Sequence, residues 1–204
     1  DPQLAVVHSR MGVIYQRLGD YDRAIDRFVE AIRHNPFSFD DTLNLARLYQ
    51  FMHRAIDAIQ AYLHAVELRP HDFDAQINLG VCFQETGDFA QAVERFEKAI
   101  EIDPNRPHAY VNLGVALDAQ QRYYEAVRAY KEALERDNQQ PLVLVNLAQT
   151  YMKQDRLKMA RAALDQAIRM DPQLAPAHEA MGYCFFRLRE FDEAEKSYLQ
   201  AIAY

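Results

Sequence analysis

Alanine stands at Ala24, Ala58, Ala92, Ala126, Ala160 and Ala194, each 34 residues after the last, and a second column at Ala31, Ala65, Ala99, Ala133, Ala167 and Ala201 keeps the same interval. A fixed interval of this size marks a supersecondary unit stacked along the chain, and it constrains the fold before any single element is assigned. With Ala5 as position one, repeats span 5–38, 39–72, 73–106, 107–140, 141–174 and 175–204, the last incomplete. The pentapeptide DPQLA, present at Asp1–Ala5 and Asp171–Ala175, recurs after five intervals, so residues 1–4 read as the tail of a preceding repeat.

The columns predict two helices per repeat. Position twenty-four, between the alanine columns, holds Phe28, Tyr62, Phe96, Tyr130, Leu164 and Tyr198, an i, i+4, i+7 stripe on a second helix. The first helix carries large residues at position seven, Gly or Ala at eight (Gly12, Ala46, Gly80, Gly114, Ala148, Gly182) and mostly aromatics at eleven. Small residues on both helices permit axes about 8–10 Å apart, and the aromatics fill the space around the contact. Gly19-Asp20 and Gly87-Asp88 supply left-handed turns between the two helices, whereas His53, Gln121, Asp155 and Arg189 must make the same turn without glycine and are expected to be strained. Between repeats, Pro36, Pro70, Pro104 and Pro172 end the second helix, because proline disfavours helical geometry in the residue before it. Asn138 replaces that proline once.

Leu-Gly-x-x-Tyr/Phe, Ala-x-x-x-Tyr/Phe-x-x-Ala and the closing proline, at this spacing over essentially the whole chain, resemble the tetratricopeptide repeat family. The resemblance implies an all-α solenoid, a right-handed superhelix of helix-turn-helix repeats forming a single array, with first helices lining a concave groove. The family's large aromatic near position four is mostly absent: His8, Thr42, Gln76, Tyr110, Leu144 and His178 stand there, which predicts weaker outer packing.

Composition limits the function classes. A net charge of −7, with 23 basic against 30 acidic side chains, argues against nucleic acid as a partner. No run of about 18 apolar residues suggests membrane insertion. The glycines fall at junctions and close contacts, leaving no phosphate-cradling loop, and the seven histidines form no His-Glu-x-x-His pattern, so no catalytic site, metal or cofactor is expected. His71-Asp72-x-Asp74 reads as a helix N-cap. Cys82 and Cys184 share position ten three repeats apart, too far for a disulfide, and are expected to be buried free thiols, which suits a cytoplasmic or other reducing compartment. Glu94-Arg95-x-Glu97-Lys98 is expected to be a solvated face with i, i+4 pairing.

In the resembling family, positions two, five, six, nine, twelve and thirteen face the groove. Position six holds Asn44, Asn78, Asn112 and Asn146 in succession, a ladder of amides able to donate to and accept from the main chain of an extended peptide. Ile77, Val81, Val111, Val115 and Val145 give the groove an apolar middle, rimmed by amides including Gln50 and Gln84. Met152, Tyr183 and Phe186 form a candidate aromatic pocket for an anchor side chain. Groove charges balance, five basic against five acidic, and the family's chaperone-tail clamp is absent, since the matching run Ser9, Val13, Asn44, Asp74, Asn78 retains only Asn44.

These readings lead to a non-enzymatic protein-interaction scaffold that holds a protein or peptide segment in its groove, as a fragment of a larger protein. Two alternatives accompany it. One is the substrate-recruiting arm of a larger enzyme, similar to the O-linked N-acetylglucosamine transferases with their asparagine-lined repeats. The other is a self-assembling module using the apolar residues at its repeat ends, among them Leu199, Ile202 and Tyr204.

Overall fold

A computed structural model describes residues 1–204, folded as twelve helices in two compact halves, Asp1–Asp103 and Pro104–Tyr204. The first half holds α1 (Pro2–Arg17), α2 (Tyr21–His34), α3 (Phe39–Phe51), α4 (Ala55–Leu68), α5 (Phe73–Glu85) and α6 (Phe89–Ile102). The second holds α7 (Pro107–Ala119), α8 (Tyr123–Arg136), α9 (Pro141–Lys153), α10 (Leu157–Met170), α11 (Ala175–Leu188) and α12 (Phe191–Ala203). Each odd-numbered helix packs on the helix that follows it, and within a half each pair packs on the next. No helix is long and apolar enough to cross a membrane.

The small columns set the helix separation as the sequence predicts. A Cβ on Gly80 would lie 2.5 Å from the Phe96 ring, and one on Gly114 would lie 2.5 Å from Tyr130; Gly12 against Phe28 and Gly182 against Tyr198 each allow 2.8 Å. Tyr62, Phe28 and Phe96 are fully enclosed, and burial of each such ring contributes about 1.5–3 kcal/mol. Cys82 and Cys184 are buried free thiols, and burial pushes the Cys82 thiol up to about 12.

Left-handed backbone occurs at Gly19 and Gly87 and also at His53, Gln121, Asp155 and Arg189, with φ between 56° and 63° at the four non-glycine positions. In all six turns the next residue donates its N–H back to the carbonyl at position eleven, as Arg54 does to Tyr49 at 2.8 Å and Asp88 to Phe83 at 2.9 Å. The hydrogen bond closes the helix end, and side chains lacking glycine's freedom are forced into the turn to make it. The helices after Gly19 and Gly87 are capped by Asp20 and Asp88, whereas Arg54, Arg122, Arg156 and Glu190 provide no side-chain cap to theirs.

Between repeats the last helical residue gives way to extended backbone at Asn35, Arg69, Asp103 and Asp171, each before proline. Asp137 has the same shape before Asn138, held by a carboxylate that accepts from the Gln139 N–H at 3.0 Å and from the Gln140 amide at 2.9 Å. These bonds lower the Asp137 carboxyl's pKa. Position four secures the turns: Gln76 donates to the Pro70 carbonyl at 2.9 Å, Tyr110 to Pro104 at 3.2 Å, and His178 Nε2 lies 2.8 Å from the Pro172 carbonyl. Polar side chains therefore hold the turn that a large apolar ring would otherwise cover. Asp72 caps α5 by accepting from Ala75 N–H at 2.8 Å.

Two local expectations change. DPQLA forms the turn before α11, but its first copy opens α1, with Asp1 as N-cap accepting from Gln3 N–H at 2.9 Å. At Asp171 the preceding helix fixes the backbone, whose N–H bonds the Ala167 carbonyl at 2.9 Å. Lys98 pairs with Glu94 at 2.7 Å as expected of a solvated face, but the Arg95 side chain is only 15% exposed and turns inward.

Candidate functional site

In the first half, Asn44 and Asn78 are half-buried on α3 and α5. The Tyr62 hydroxyl donates to Gln50 Oε1 at 2.8 Å, and Asn78 lies within hydrogen-bonding reach of the same hydroxyl. Burial raises the Tyr62 phenol well above its ordinary range, while Asn78 pulls it back slightly. Gln50 is thus engaged within the protein, and Asn78 serves the contact between repeats as well as its exposed face. Gln84, the residue equivalent to Gln50, belongs to the repeat whose ring is Phe96. That ring has no hydroxyl, and Gln84 Oε1 is buried without a partner. Ile77 is 7% exposed and belongs to the core, leaving Val81 as the half-buried apolar neighbour.

In the second half, Asn112 and Asn146 are half-buried, as are Val111 and Val115, whereas Val145, 3% exposed, is in the core. Between α9 and α11 lies a cavity of about 390 Å³ lined by Gln149, Met152, Lys153, Glu179, Ala180, Tyr183, Arg187 and Tyr198. Met152 forms a buried wall and Tyr183, 44% exposed, stands at the opening. The two cations are neutralised locally: Lys153 pairs with Asp118, which also accepts from the Thr150 hydroxyl at 2.8 Å, and Arg187 pairs with Asp155 at 2.8 Å. Arg187 also lies over the Tyr183 ring, 5.9 Å from its centroid. Burial, reinforced by Glu179, raises the Tyr198 phenol, which therefore stays a neutral donor at physiological pH.

The cavity unites Met152 and Tyr183 as the sequence suggests, but excludes Phe186. That residue shares position twelve with Met152, one repeat later, so it faces away from α9, and its ring packs edge-on to Phe191 with centroids 6.0 Å apart. Tyr198 was missed because its column reads as core, although its α12 position lets its polar edge reach the cavity. Two further clefts lie among the second helices: about 530 Å³ between α4 and α6, with Gln76 in its lining, and about 580 Å³ between α8 and α10, with Leu144. Both include a position-four residue that is not a ring, where weaker outer packing was expected.

Among solved structures, MamA matches at 19% identity with a TM-score of 0.81, covering 85% of this chain and 94% of that one. YrrB, described as a TPR protein with an unusual peptide-binding site, matches at 20% identity with a TM-score of 0.69, over 86% and 91%. PilF of Pseudomonas aeruginosa matches at 20% identity with a TM-score of 0.75, over 97% and 90%. No curated protein matches the sequence. The family model described as cilia and flagella-associated protein 70 C-terminal domain matches residues 3–203.

Proposed function

Because the chain belongs to the family of the cilia and flagella-associated protein 70 C-terminal domain, built of tetratricopeptide repeats, we propose that it is a protein-interaction scaffold which captures a peptide segment on its first-helix faces. The observation that carries this reading is the cavity between α9 and α11, where buried Met152 and half-exposed Tyr183 frame a space suited to one apolar anchor side chain. Asn146 and Asn112, half-buried on neighbouring first helices, offer amides to the main chain beside the anchor. With Lys153 and Arg187 already paired to aspartates, selectivity comes from shape and hydrogen bonding more than from charge. The likeness in fold to YrrB, described as having an unusual peptide-binding site, is consistent with this use of the scaffold.

Selection of displayed random peptides on the whole chain tests the reading. Peptides with a recurring apolar anchor are expected, and Tyr183→Ala is expected to weaken them at least about tenfold, the loss of about 1.4 kcal/mol. Peptides indifferent to Tyr183→Ala and Asn146→Ala would contradict it.

A second reading, self-association, is favoured by columns three and ten. They are buried in every later repeat, yet Val7 and Ile14 are half-exposed, while Ile202 on α12 is 82% exposed. A second copy of the chain supplies the complementary apolar columns. The expected result is a mass that rises with concentration in light scattering, and a strictly monomeric mass contradicts it.

A further inference from the structure

We propose that the cleft between α8 and α10 is a docking groove for an acidic amphipathic helix of a partner protein, separate from the cavity between α9 and α11. Its volume is about 580 Å³, with buried Leu144, Leu147 and Tyr151 of α9 as the floor and α8 and α10 as the walls. A second hollow of about 440 Å³ shares Lys158 and Met159 with it and adjoins Leu157 and Leu188, so the depression is elongated and open at the surface. That shape suits a segment of chain, because a small ligand is usually enclosed over most of its surface.

The repeat columns show that α10 departs from the other second helices here. Position nineteen reads Arg23, Asp57, Gln91, Glu125, Met159 and Glu193, and position twenty-two reads Asp26, Gln60, Glu94, Arg128, Ala162 and Lys196. Only α10 is apolar at both, one turn apart, where every other repeat has a charge or an amide. Met159, 38% exposed, and the exposed Ala162 both line the cleft. A groove between two helices receives the ridge of a third, whose apolar side chains recur at i, i+3 or i+4 and i+7.

Charge selects the partner. The whole chain has a net charge of −7, yet α10 carries Lys158, Arg161 and Arg169 against Asp165 alone, while α2 and α8 balance and α4, α6 and α12 are acidic. Each wall of the cleft supplies one lysine, Lys131 from α8 and Lys158 from α10, against the single acid Glu135. The α8 carboxylates Glu125 and Glu132 are held by Arg122 at 2.6 Å and Arg136 at 2.8 Å, which leaves both lysines without an ion pair. Carboxylates flanking the apolar stripe of a partner helix complement them. An anionic bilayer has the same charge, but a flat surface does not fill a groove. The cleft between α4 and α6 brings Glu67 and Glu101 beside its own two cations and offers no such field.

The test is a displayed library of helical peptides of about 18 residues, five turns, with Leu, Met or Phe along one stripe and Glu, Lys or Gln beside it. Selection on the whole chain carrying Tyr183→Ala disfavours binders of the α9/α11 cavity. Enrichment of Glu beside the stripe is expected. Met159→Glu and Ala162→Glu each install a residue that the same column holds elsewhere, as Glu125 and Glu94, so melting curves should match the parent. Each is expected to weaken a selected peptide at least about tenfold. Lys131→Glu with Lys158→Asp, present in their columns as Glu97 and Asp192, should weaken it about threefold or more and flatten its salt dependence. The proposal is overturned if Lys is enriched, if the selected peptides bind Met159→Glu as well as the parent, or if no peptide is retained. Binding of phosphatidylserine vesicles through Met159, with no peptide retained, would assign the surface to a membrane instead.

Discussion

In five of the six repeats the first helix meets its partner through one small residue facing one ring, so the energetics of the fold are concentrated in pairs. Gly80 faces Phe96 with no room for a Cβ, whereas Ala148 occupies the same column in the repeat whose ring position is Leu164. Gly80→Ala is expected to destabilise the first half by about 1–3 kcal/mol through overpacking. Phe96→Leu in the same molecule should restore part of that loss by recreating the Ala148 and Leu164 pairing. Denaturation of the two single variants and the double variant measures the coupling, and strictly additive losses would contradict the pairing. Phe96→Tyr is a separate test: its hydroxyl would reach Gln84 as Tyr62 reaches Gln50, adding about 1 kcal/mol of stability. A melting temperature that does not rise would show that Gln84 has no need of that donor.

Residue chemistry also sets a pH limit. The Cys82 thiol has a folded pKa raised from 9.0 to about 12, so between those values the folded chain retains a proton that the unfolded chain has released. Stability is therefore complete below pH 9 and falls as pH rises. Tyr62 and Tyr130, whose pKa values are also raised by burial, extend the fall at higher pH. Denaturation midpoints taken between about pH 9 and 10 should decline less steeply in Cys82→Ala than in the parent chain, the remaining slope coming from Cys184, whose thiol burial also raises, and from the onset of tyrosine ionisation; equal slopes would contradict the assignment.

At the scale of the element, the turn inside each repeat shows what was legible and what was not. Four non-glycine residues were expected to be strained because the columns demanded a left-handed turn there, and all four have positive φ. His53 is exposed, so His53→Gly relieves a penalty of about 1–2 kcal/mol against an entropic loss of about 0.5–1 kcal/mol. A small rise in thermal stability is the expected result, and a fall would mean that the His53 ring makes a contribution of its own. The hydrogen bonds of position four were not legible, because glutamine, tyrosine and histidine look unrelated in a column and share only their reach to a carbonyl six residues earlier. Arg95 and Tyr198 were misread for a related reason: periodicity assigns a helix face, but long or ring side chains extend beyond it. Ile77 and Val145, expected in the groove, are buried, whereas Val111 at the same position five is half-buried, so this column borders the core unevenly.

For the whole molecule, repeat periodicity specifies the scaffold almost completely while saying little about cargo, since the same small and aromatic columns fit any member of the family. The four asparagines fall two in each compact half, and Asn78 also serves the contact with Tyr62, so amides at equivalent positions need not have equivalent roles. The cavity of the second half has the features of an anchor site: a buried methionine, a tyrosine at the entrance, and cations held by their own partners.

The most direct measurement of that claim is a methyl and aromatic NMR footprint of the whole chain bound to a selected peptide. The account predicts that the largest changes fall on the Met152 methyl and the Tyr183 and Tyr198 rings, with smaller changes at the Asn146 side-chain amide. A footprint confined to the second-helix clefts or to Val7, Ile14 and Ile202, with Met152 and Tyr183 unmoved, would contradict it.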